Sequence, residues 1–411
     1  MANKGIAVGL ILVLSILSST IVAQTLELYL NDAVKNNPGL KAKYTEFEIA
    51  MQKIPQVSSL PDPTLSFGYY VSPVETRIGP QKARLSLTQM FPWFGTLAAK
   101  KDAVTLLAEA KYQAFLDAKN ELVFKVTAAY YPLYEVNEML RLQKENLQIL
   151  TSYKQLATTA FSNAKGSMVD VIRVDIMIDE AKTNIDILDD KLSPLQAAFN
   201  QLLDRDMSLP IIIADRYDIA PGNAILSKDS LLIKNPQLKG LDLKIKSAKA
   251  LEKAAFRNGL PKFGIGLTYA FVDERTDMNV TDNGKDAIMP MISMSIPLYR
   301  GKYKAAVKEA RLKQSSFALQ KQNKENILFT AYDLSFFKID RAKQQFVLYA
   351  AQIAKTQQAI DLLHTTYSNS GKDFEEVLRM QQRLLKYEMA KATAVKEYYT
   401  ALAQHNYITG K

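Results

Sequence analysis

Residues 64–72 read TLSFGYYVS, and the order of apolar and small side chains in this stretch decides the fold. Successive side chains of an extended strand point to opposite faces, so an alternating sequence predicts one apolar and one polar face. Small polar residues would suit a water-filled lumen, and the length approaches the roughly 9–11 residues of a tilted membrane strand. A soluble sheet packed on one face fits this single segment equally well. The apolar face would comprise Leu65, Phe67, Tyr69 and Val71.

Three further segments alternate in the same way, and the four together predict two β-hairpins, at about 64–91 and about 262–298. Four strands in lipid would leave two open edges, whose unpaired backbone groups are very costly there. Single-chain membrane barrels begin at about eight strands. We therefore expect several copies of the chain to close one barrel, with eight strands from two copies or twelve from three. The additional segments are 84–91, 262–271 and 292–298.

The sequence contains an internal repeat of about half its length, a pattern to be sought before any other. Landmarks recur in the same order, with an offset that grows from 198 to 206 residues. The offset grows mainly across the polar run 273–286, as expected of an insertion in a loop. The matched landmarks are Asn37-Pro38 with Asn235-Pro236, Leu60-Pro61 with Leu260-Pro261, Pro92 with Pro297, Tyr130-Tyr131 with Phe336-Phe337, Phe161-Ser162-Asn163 with Tyr367-Ser368-Asn369, and Asp170-Val171-Ile172 with Glu376-Val377-Leu378.

Each half follows the same plan of a helix, two strands and a long helical hairpin. The first repeat covers 24–210 and the second 211–411, with a link at 210–221. A helix of about 65 residues would be on the order of 100 Å long, so it requires packing partners along its length. Pro132, whose repeat mate is Lys338, predicts a kink or a local break. The predicted helices are 26–54, 96–161 and 169–203, then 228–258, 302–367 and 374–407.

The first 23 residues read as a secretory signal peptide. Lys4 supplies a positive charge, and residues 6–17 form an apolar core shorter than the roughly 20 residues of a spanning helix. An uncleaved membrane anchor is the alternative, which the polar sequence from Gln24 onward disfavours. The chain has no cysteine, so we expect neither a disulfide nor a lipid-modified N-terminal cysteine. The net charge of +10 comes from interspersed acids and bases, and together with export it argues against a nucleic-acid partner.

A proline and a glycine follow each predicted hairpin, at Pro92 and Gly95 and again at Pro297 and Gly301. Proline cannot donate to a strand ladder and is well tolerated at the start of a helix. A glycine allows a sharp change of direction. We therefore predict a strand-to-helix corner at both places. Either an aromatic belt at a membrane interface or packing inside the corner would account for Trp93, Phe94 and Tyr299.

Short polar turns are predicted at the far ends of the long helices, at 162–167 and 368–373. Glycine suits such a turn, and a serine or aspartate can cap the helix that follows. The residues in question are Gly166 and Gly371 for the turns, and Ser167 and Asp373 for the caps.

In this order, the features resemble the TolC-like outer-membrane efflux family over essentially the whole mature chain. The resemblance rests on the repeat, on the lead 60–63 into a strand, on both corners, and on the two turns with 170–172 and 376–378. It implies a mainly α-helical protomer that contributes four strands to a twelve-stranded β-barrel in a homotrimer. The helices would then form a periplasmic tunnel below outer-membrane lipid. The implied partners are a periplasmic adaptor, docking at tips marked by Gly166, Ser167 and Gly371, and an inner-membrane pump of RND or ABC type.

The resemblance further implies a passive efflux duct in the outer membrane of a Gram-negative bacterium, with a gate at its helical tips. In this family, links between inner and outer helix pairs close the tunnel beside a ring of acidic side chains. By position in the motif, Asp170, Tyr367 and Lys372 match the linking residues, and Glu376 matches the first acid of the ring. Arg379 stands where some members carry a second acid, so the charge of the aperture departs from the family pattern.

No catalytic constellation is evident, so we expect neither enzyme activity nor a cofactor. His364 and His405 are the only histidines. His364 could touch a metal substrate near the turn, but an ordinary exposed helix residue is the commoner case. The alternative class is a periplasmic coiled-coil adaptor or scaffold without a membrane barrel. That class would show one helical hairpin beside β-rich modules, whereas this sequence has two equivalent hairpin sets.

Overall fold

The structure is a computed structural model that describes residues 26–213, 217–219, 228, 233–370 and 374–410. The predicted signal peptide at 1–23 and part of the link lie outside the described residues. Seven helices and one four-stranded sheet make up the described part of the chain. In chain order they are α1 (26–36), α2 (Pro38–Ser58), β1 (Thr64–Thr76), β2 (Gly79–Phe91), α3 (Thr96–Ser162), α4 (Met168–Leu202), α5 (Pro236–Asn258), β3 (Lys262–Val272), β4 (Ala287–Ser295), α6 (Gly301–Ser370) and α7 (Phe374–Thr409).

The long helices begin and end within a few residues of their predicted positions. Of the two outcomes predicted at Pro132, the local break is wrong, because α3 continues through this residue. A kink at Pro132 stays a prediction. Proline removes a backbone donor from the helix interior. Its neighbours Tyr130, Tyr131 and Leu133 are all buried, however, and packing of this kind supplies most of the stability of a helix in a protein.

The first predicted helix, 26–54, is divided into α1 and α2 at Asn37. The amide of Leu40 donates to Asn37 Oδ1 at 3.0 Å, so Asn37 caps α2, which begins with proline. The Asn37 side-chain amide donates to the carbonyl of Leu202, the last residue of α4, at 3.0 Å. One side chain therefore starts a helix and joins it to the end of the same repeat.

The second repeat contains the same connection. Asn235 precedes Pro236 at the start of α5, and its side-chain amide donates to the carbonyl of Ile408 at 2.9 Å. Ile408 lies near the end of α7, as Leu202 lies at the end of α4. The two Asn-Pro pairs are thus equivalent in structure as well as in sequence.

The four strands form a single antiparallel sheet in the order β1-β2-β3-β4. Both strands of the first hairpin are longer than predicted, because polar residues near its turn continue the pairing. The loop between β3 and β4 covers residues 273–286, which is where the repeat offset located the inserted residues.

The predicted position of the fourth strand, 292–298, is wrong. β4 runs from Ala287 to Ser295 and excludes Pro297. Met289 and Met291 interrupt the alternation of apolar and polar residues in the first half of β4, because they pair with Thr268 and Gly266 on the small-residue face of the sheet. A long thioether side chain can occupy the space above a glycine, so an apolar residue sits where the pattern leads one to expect a polar one.

The described residues fall into two compact units, each of which draws segments from both repeats. One unit comprises the described residues within Met1–Ala42, Phe115–Pro236 and Glu325–Lys411, and the other comprises Lys43–Ala114 and Gln237–Lys324. The sheet lies in the second unit. None of the described helices is both long enough and apolar enough to cross a membrane.

Three apolar clusters lie among the described residues of the first unit, and the two larger ones organise it. The cluster that we call the tyrosine core is built around Tyr29, Tyr130, Tyr131 and Phe199. The cluster that we call the tip core lies beside the turns at the ends of α3 and α6. Its buried members are Leu150, Tyr153, Ala157, Val171, Val174, Ile178, Ala181, Tyr367, Phe374, Val377 and Leu378.

Candidate functional site

The sheet exposes its apolar face. Phe67 is 69 % exposed, Val71 92 % and Ile292 87 %. On the small-residue face, β3 is buried at Thr268 and Ala270, whereas Ser66 of β1 and Ser293 of β4 are exposed. An antiparallel sheet in water normally covers its apolar face and solvates its polar one. The polarity of this sheet is therefore the reverse of a soluble sheet and matches a strand set that meets lipid on one side.

The pairing register arranges these side chains in rows across the strands. Leu65, Leu87 and Leu267 form one apolar row. On the opposite face, the hydroxyl groups of Ser86 and Thr268 lie 2.7 Å apart and hydrogen-bond across β2 and β3. Because side chains alternate between faces, a slip of one residue would reverse every row.

Both outer strands have an unpaired edge. Over the described residues, β1 pairs only with β2 and β4 pairs only with β3. β1 is 13 residues long and carries exposed apolar side chains, a combination that would template pairing with another chain. The sheet is complete only when something pairs with both edges.

The two strand-to-helix corners carry exposed aromatic residues. The ring of Trp93 packs against the ring of Phe263, with centroids 5.7 Å apart. Phe94 is 80 % exposed and Tyr299 is 84 % exposed. Trp93 therefore packs within its corner, whereas Phe94 and Tyr299 are available to an interface. Packing inside the corner accounts for Trp93, and the predicted interfacial belt remains open for Phe94 and Tyr299.

The corner residues Pro92 and Gly95 lie between β2 and α3, whereas Pro297 lies between β4 and α6 and Gly301 begins α6. The two glycines differ in conformation. Gly95 has a φ of +73°, and the Arg257 guanidinium donates to its carbonyl at 2.7 Å. Gly301 is the first residue of α6, and a side chain there would meet open space.

At the turn between α3 and α4, Ser167 accepts a hydrogen bond from the amide of Val169 at 3.1 Å and caps α4. Gly166 is closely packed, because a Cβ atom there would lie 3.0 Å from the Cβ of Ala160. The corresponding Gly371, with Lys372 and Asp373, lies outside the described residues.

Tyr367, predicted to be a gate residue, is a buried member of the tip core. Its ring packs against Phe374 with centroids 5.0 Å apart. Burial raises the pKa of the Tyr367 hydroxyl, and the negative charge of Asp170 raises it further. The structure thus brings Tyr367 of α6 and Asp170 of α4 into one electrostatic environment.

The two acids predicted at the gate each pair with an arginine three residues later. Asp170 Oδ1 lies 3.5 Å from Arg173 Nη1, and the carboxylate of Glu376 contacts the Arg379 guanidinium directly. That contact raises the pKa of Arg379. Arg379 therefore does more than stand in place of a second acid, because its positive charge also neutralises Glu376.

Sequence reasoning missed Arg173 and Glu375. Arg173 Nη1 lies 2.9 Å from Glu375 Oε2, so it joins the start of α4 to the start of α7 while also contacting Asp170. The repeat offset of 206 residues places Arg173 opposite Arg379, as it places Asp170 opposite Glu376. Extending the repeat alignment by three residues would have found Arg173. It would not have found Glu375, whose repeat mate is Val169.

His364 is half-buried rather than exposed as predicted. Its Nε2 atom lies 2.7 Å from the hydroxyl oxygen of Tyr153. It therefore contributes to the packing around the tip core. A search of the described residues for three or more clustered His, Cys, Asp or Glu side chains that could hold a metal finds none.

No protein-family model matches the chain, and no curated protein sequence matches it. Solved structures do. The outer-membrane channel OprN shares 17 % identity with a TM-score of 0.74, over 94 % of this chain and 90 % of that one. The outer membrane protein VceC from Vibrio cholerae shares 14 % identity with a TM-score of 0.73, over 94 % and 96 %. The MtrE outer membrane channel of Neisseria gonorrhoeae, in its open state, shares 16 % identity with a TM-score of 0.73, over 94 % and 89 %.

The fold is therefore that of outer-membrane channel proteins, and it extends over nearly the whole chain. The protomer fold that the TolC-like resemblance implied, mainly helical with four antiparallel strands, is confirmed. The likeness is one of fold, since the sequences share fewer than a fifth of their residues.

Proposed function

We propose that this chain is one protomer of a trimeric duct in the outer membrane of a Gram-negative bacterium, which conducts substrates passively without transforming them. The exposed apolar face of the sheet carries the proposal. Each square ångström of apolar surface left in water costs roughly 25 cal/mol, and side chains such as Phe67, Val71 and Ile292 are mostly uncovered. Contact with lipid hydrocarbon removes that cost.

The open edges of β1 and β4 support closure by further copies of the chain. Lipid offers no partners for unpaired backbone groups, so β4 of one copy would pair with β1 of the next. We propose three copies and twelve strands, the number that the family resemblance implies. Exposed apolar side chains on α6 would supply helical contacts between copies. They include Leu334, Phe336, Phe337, Val347, Leu348 and Leu362.

We further propose that the region beside the tip core is the gate. The link between α4 and α7 through Arg173 and Glu375 would hold the tips together, and Tyr367 and Asp170 lie in the same region. Lys372 remains a proposed member by its position in the motif. Glu376 and Arg379 would face the aperture as a neutral pair rather than as an acidic ring.

A periplasmic adaptor would dock on the tips near Gly166, Ser167 and Gly371, and an inner-membrane pump of RND or ABC type would deliver the substrate. Because the chain has no cysteine, the variant Ser167→Cys supplies a single crosslinking position. A thiol-directed crosslinker in intact cells should then capture one adaptor. The matched control is Thr183→Cys, an exposed position in the middle of α4, which should capture none.

The alternative, a periplasmic scaffold without a membrane part, would have to keep the apolar sheet face in water. Fractionation separates the two proposals. The duct should require detergent for its release from the outer membrane, and the purified protein should form channels in a planar bilayer. Recovery of the full chain in the aqueous periplasmic fraction would contradict the duct.

Two neighbouring positions on β1 test which face meets lipid. Phe67 belongs to the apolar face and Ser66 to the opposite one. The variant Phe67→Arg should lower the yield of membrane-inserted protein, because an arginine facing lipid costs up to about 4 kcal/mol. Ser66→Arg should insert normally and narrow the lumen. Equal insertion of both variants would contradict the assigned orientation.

A further inference from the structure

We propose that a cleft beside the second strand-to-helix corner binds an anionic phospholipid of the periplasmic leaflet. The proposal rests on the outer-membrane location proposed above. The cleft has a volume of about 640 Å³ and lies between the end of α5 and the start of α6. Both walls belong to the unit that contains the sheet.

The cleft combines an apolar floor with a basic rim. Phe256, Leu260 and Tyr303 supply the floor, and Arg300, Lys304 and Lys308 are the cations that the argument uses. Phe256 is largely exposed although its ring is fully apolar. A phospholipid carries the two complementary groups side by side, a phosphate for the cations of the rim and acyl chains for the apolar floor.

Within the part of the chain that the structure describes, no ion pair balances the charge of the three rim cations. Arg311 also borders the cleft, but its Nε atom lies 2.7 Å from Glu252 Oε1. Among the ion pairs of the described residues, none involves Arg300, Lys304 or Lys308. Three cations within three helical turns would attract an anion and bind a phosphate through charge-assisted hydrogen bonds.

The three cations of the rim are not repeated at the equivalent positions of the first corner, which has basic residues of its own at Lys100 and Lys101. With the offset of 206 residues, Arg300, Lys304 and Lys308 correspond to Phe94, Ala98 and Asp102. The first corner therefore carries an aromatic, a small and an acidic residue at the positions where the second carries three cations. The basic rim is not required for a strand to turn into a helix.

An exposed apolar path connects the cleft with the sheet. Ile296, Leu298 and Tyr299 lie between β4 and α6 and are all largely exposed. The acyl chains of a lipid seated with its phosphate at the rim could follow this path toward the apolar face. A free phosphate ion would use only the cations and leave the floor uncovered, so the whole surface fits a lipid better than an inorganic anion.

Native mass spectrometry of the full assembly in mild detergent tests the proposal. Phosphatidylglycerol is titrated against phosphatidylcholine, and soluble glycerol phosphate is added in a separate arm. Wild-type protein should retain phosphatidylglycerol at least about tenfold better than phosphatidylcholine, and the double variant Arg300→Gln/Lys304→Gln should lose that preference. The matched control is Lys313→Gln. Lys313 belongs to α6 but does not line the cleft, and its Nζ atom lies 2.6 Å from Glu309 Oε1.

Equal retention of the two lipids by wild-type protein, or an undiminished preference in the double variant, would overturn the proposal. If glycerol phosphate saturates the cleft and displaces the lipid, the cleft is an anion site and not a lipid site. That result would also overturn the proposal. Channel conductance is recorded on the same preparations. The double variant should conduct like wild type, so loss of the lipid and loss of the duct are read separately.

Discussion

The two halves of the chain share a backbone plan but place equivalent side chains in different surroundings. Tyr130 and Tyr131 are buried in the tyrosine core, whereas their repeat mates Phe336 and Phe337 are 46 % and 57 % exposed. The two closing helices differ in the opposite sense, since α4 of the first half buries six residues and α7 of the second half buries thirteen. The repeat therefore preserves helix lengths and corners, while the side chains that each half buries have diverged.

The largest expected effect comes from the pair Tyr130 and Phe336. Tyr130→Ala removes a fully buried ring together with a hydroxyl group that accepts a hydrogen bond from the Tyr217 hydroxyl. Truncating such an aromatic costs about 3–5 kcal/mol, so the yield of folded protein should collapse. Phe336→Ala should fold normally and weaken only the assembly, seen as dissociation of the oligomer at a lower temperature in detergent. Similar folding yields for the two variants would remove the difference between the halves.

The Asn-Pro pairs at 37–38 and 235–236 are a feature that the two halves share rather than one in which they differ. Asn235 is buried, and Asn235→Ala would leave the carbonyl of Ile408 without this donor. Loss of a buried hydrogen-bond partner costs about 1–3 kcal/mol. Asn37 is only partly buried, so Asn37→Ala should cost nearer the typical value of about 1 kcal/mol for a helix cap. Thermal unfolding followed by circular dichroism would measure both, and a larger loss at Asn37 would contradict the ranking.

Sequence alone predicted much of the fold because the decisive patterns are local. Alternation at 64–72, 84–91 and 262–271 identified three of the four strands with their faces, and helical composition gave the long helices nearly to the residue. Prediction failed where distant contacts decide. Met289 and Met291 appear apolar in sequence, yet their partners across β3 place them on the small-residue face. The hydrogen bond from Asn37 to Leu202 likewise spans 165 residues, although the Asn37-Pro38 pair that starts α2 is itself a local signal.

The candidate gate was predicted less completely than the fold. The motif supplied Asp170, Tyr367, Glu376 and Arg379, but the ion pair between Arg173 and Glu375 joins two helices whose approach no local pattern describes. Whether these residues gate a channel stays a prediction. The repeat offset does relate both acid–arginine pairs, which the family motif by itself did not reveal.

The corner glycines should respond with opposite signs. Gly95 has a positive φ, and a Cβ atom there would lie 2.6 Å from Arg257 Nη1. Gly95→Ala should therefore destabilise the protein by about 1–2 kcal/mol for the backbone conformation alone. Gly301→Ala meets open space at the start of α6 and should be neutral or stabilise by up to about 1 kcal/mol. Chemical denaturation of the two variants under identical conditions measures both, and a destabilised Gly301→Ala would show that the second corner also needs glycine.

The smallest expected effect separates the two arginines at the tips. Arg173→Gln breaks the contact with Glu375 between α4 and α7, whereas Arg379→Gln breaks a contact within α7 only. Exposed ion pairs are worth at most about 1 kcal/mol, so Arg173→Gln should raise the open probability of the channel no more than about fivefold. Arg379→Gln should leave the open probability unchanged and increase cation selectivity, because Glu376 loses its neutralising partner.

Planar-bilayer recordings distinguish the two arginine variants, with the open probability read at constant voltage and the selectivity from the reversal potential in a salt gradient. Both effects should shrink at high ionic strength, since screening weakens exposed charges. A selectivity change in Arg173→Gln without a change in gating would mean that Asp170, freed of its arginine, faces the aperture. The two repeats would then contribute equivalent acids, Asp170 and Glu376, to the aperture. At the tips, therefore, the two halves would not differ.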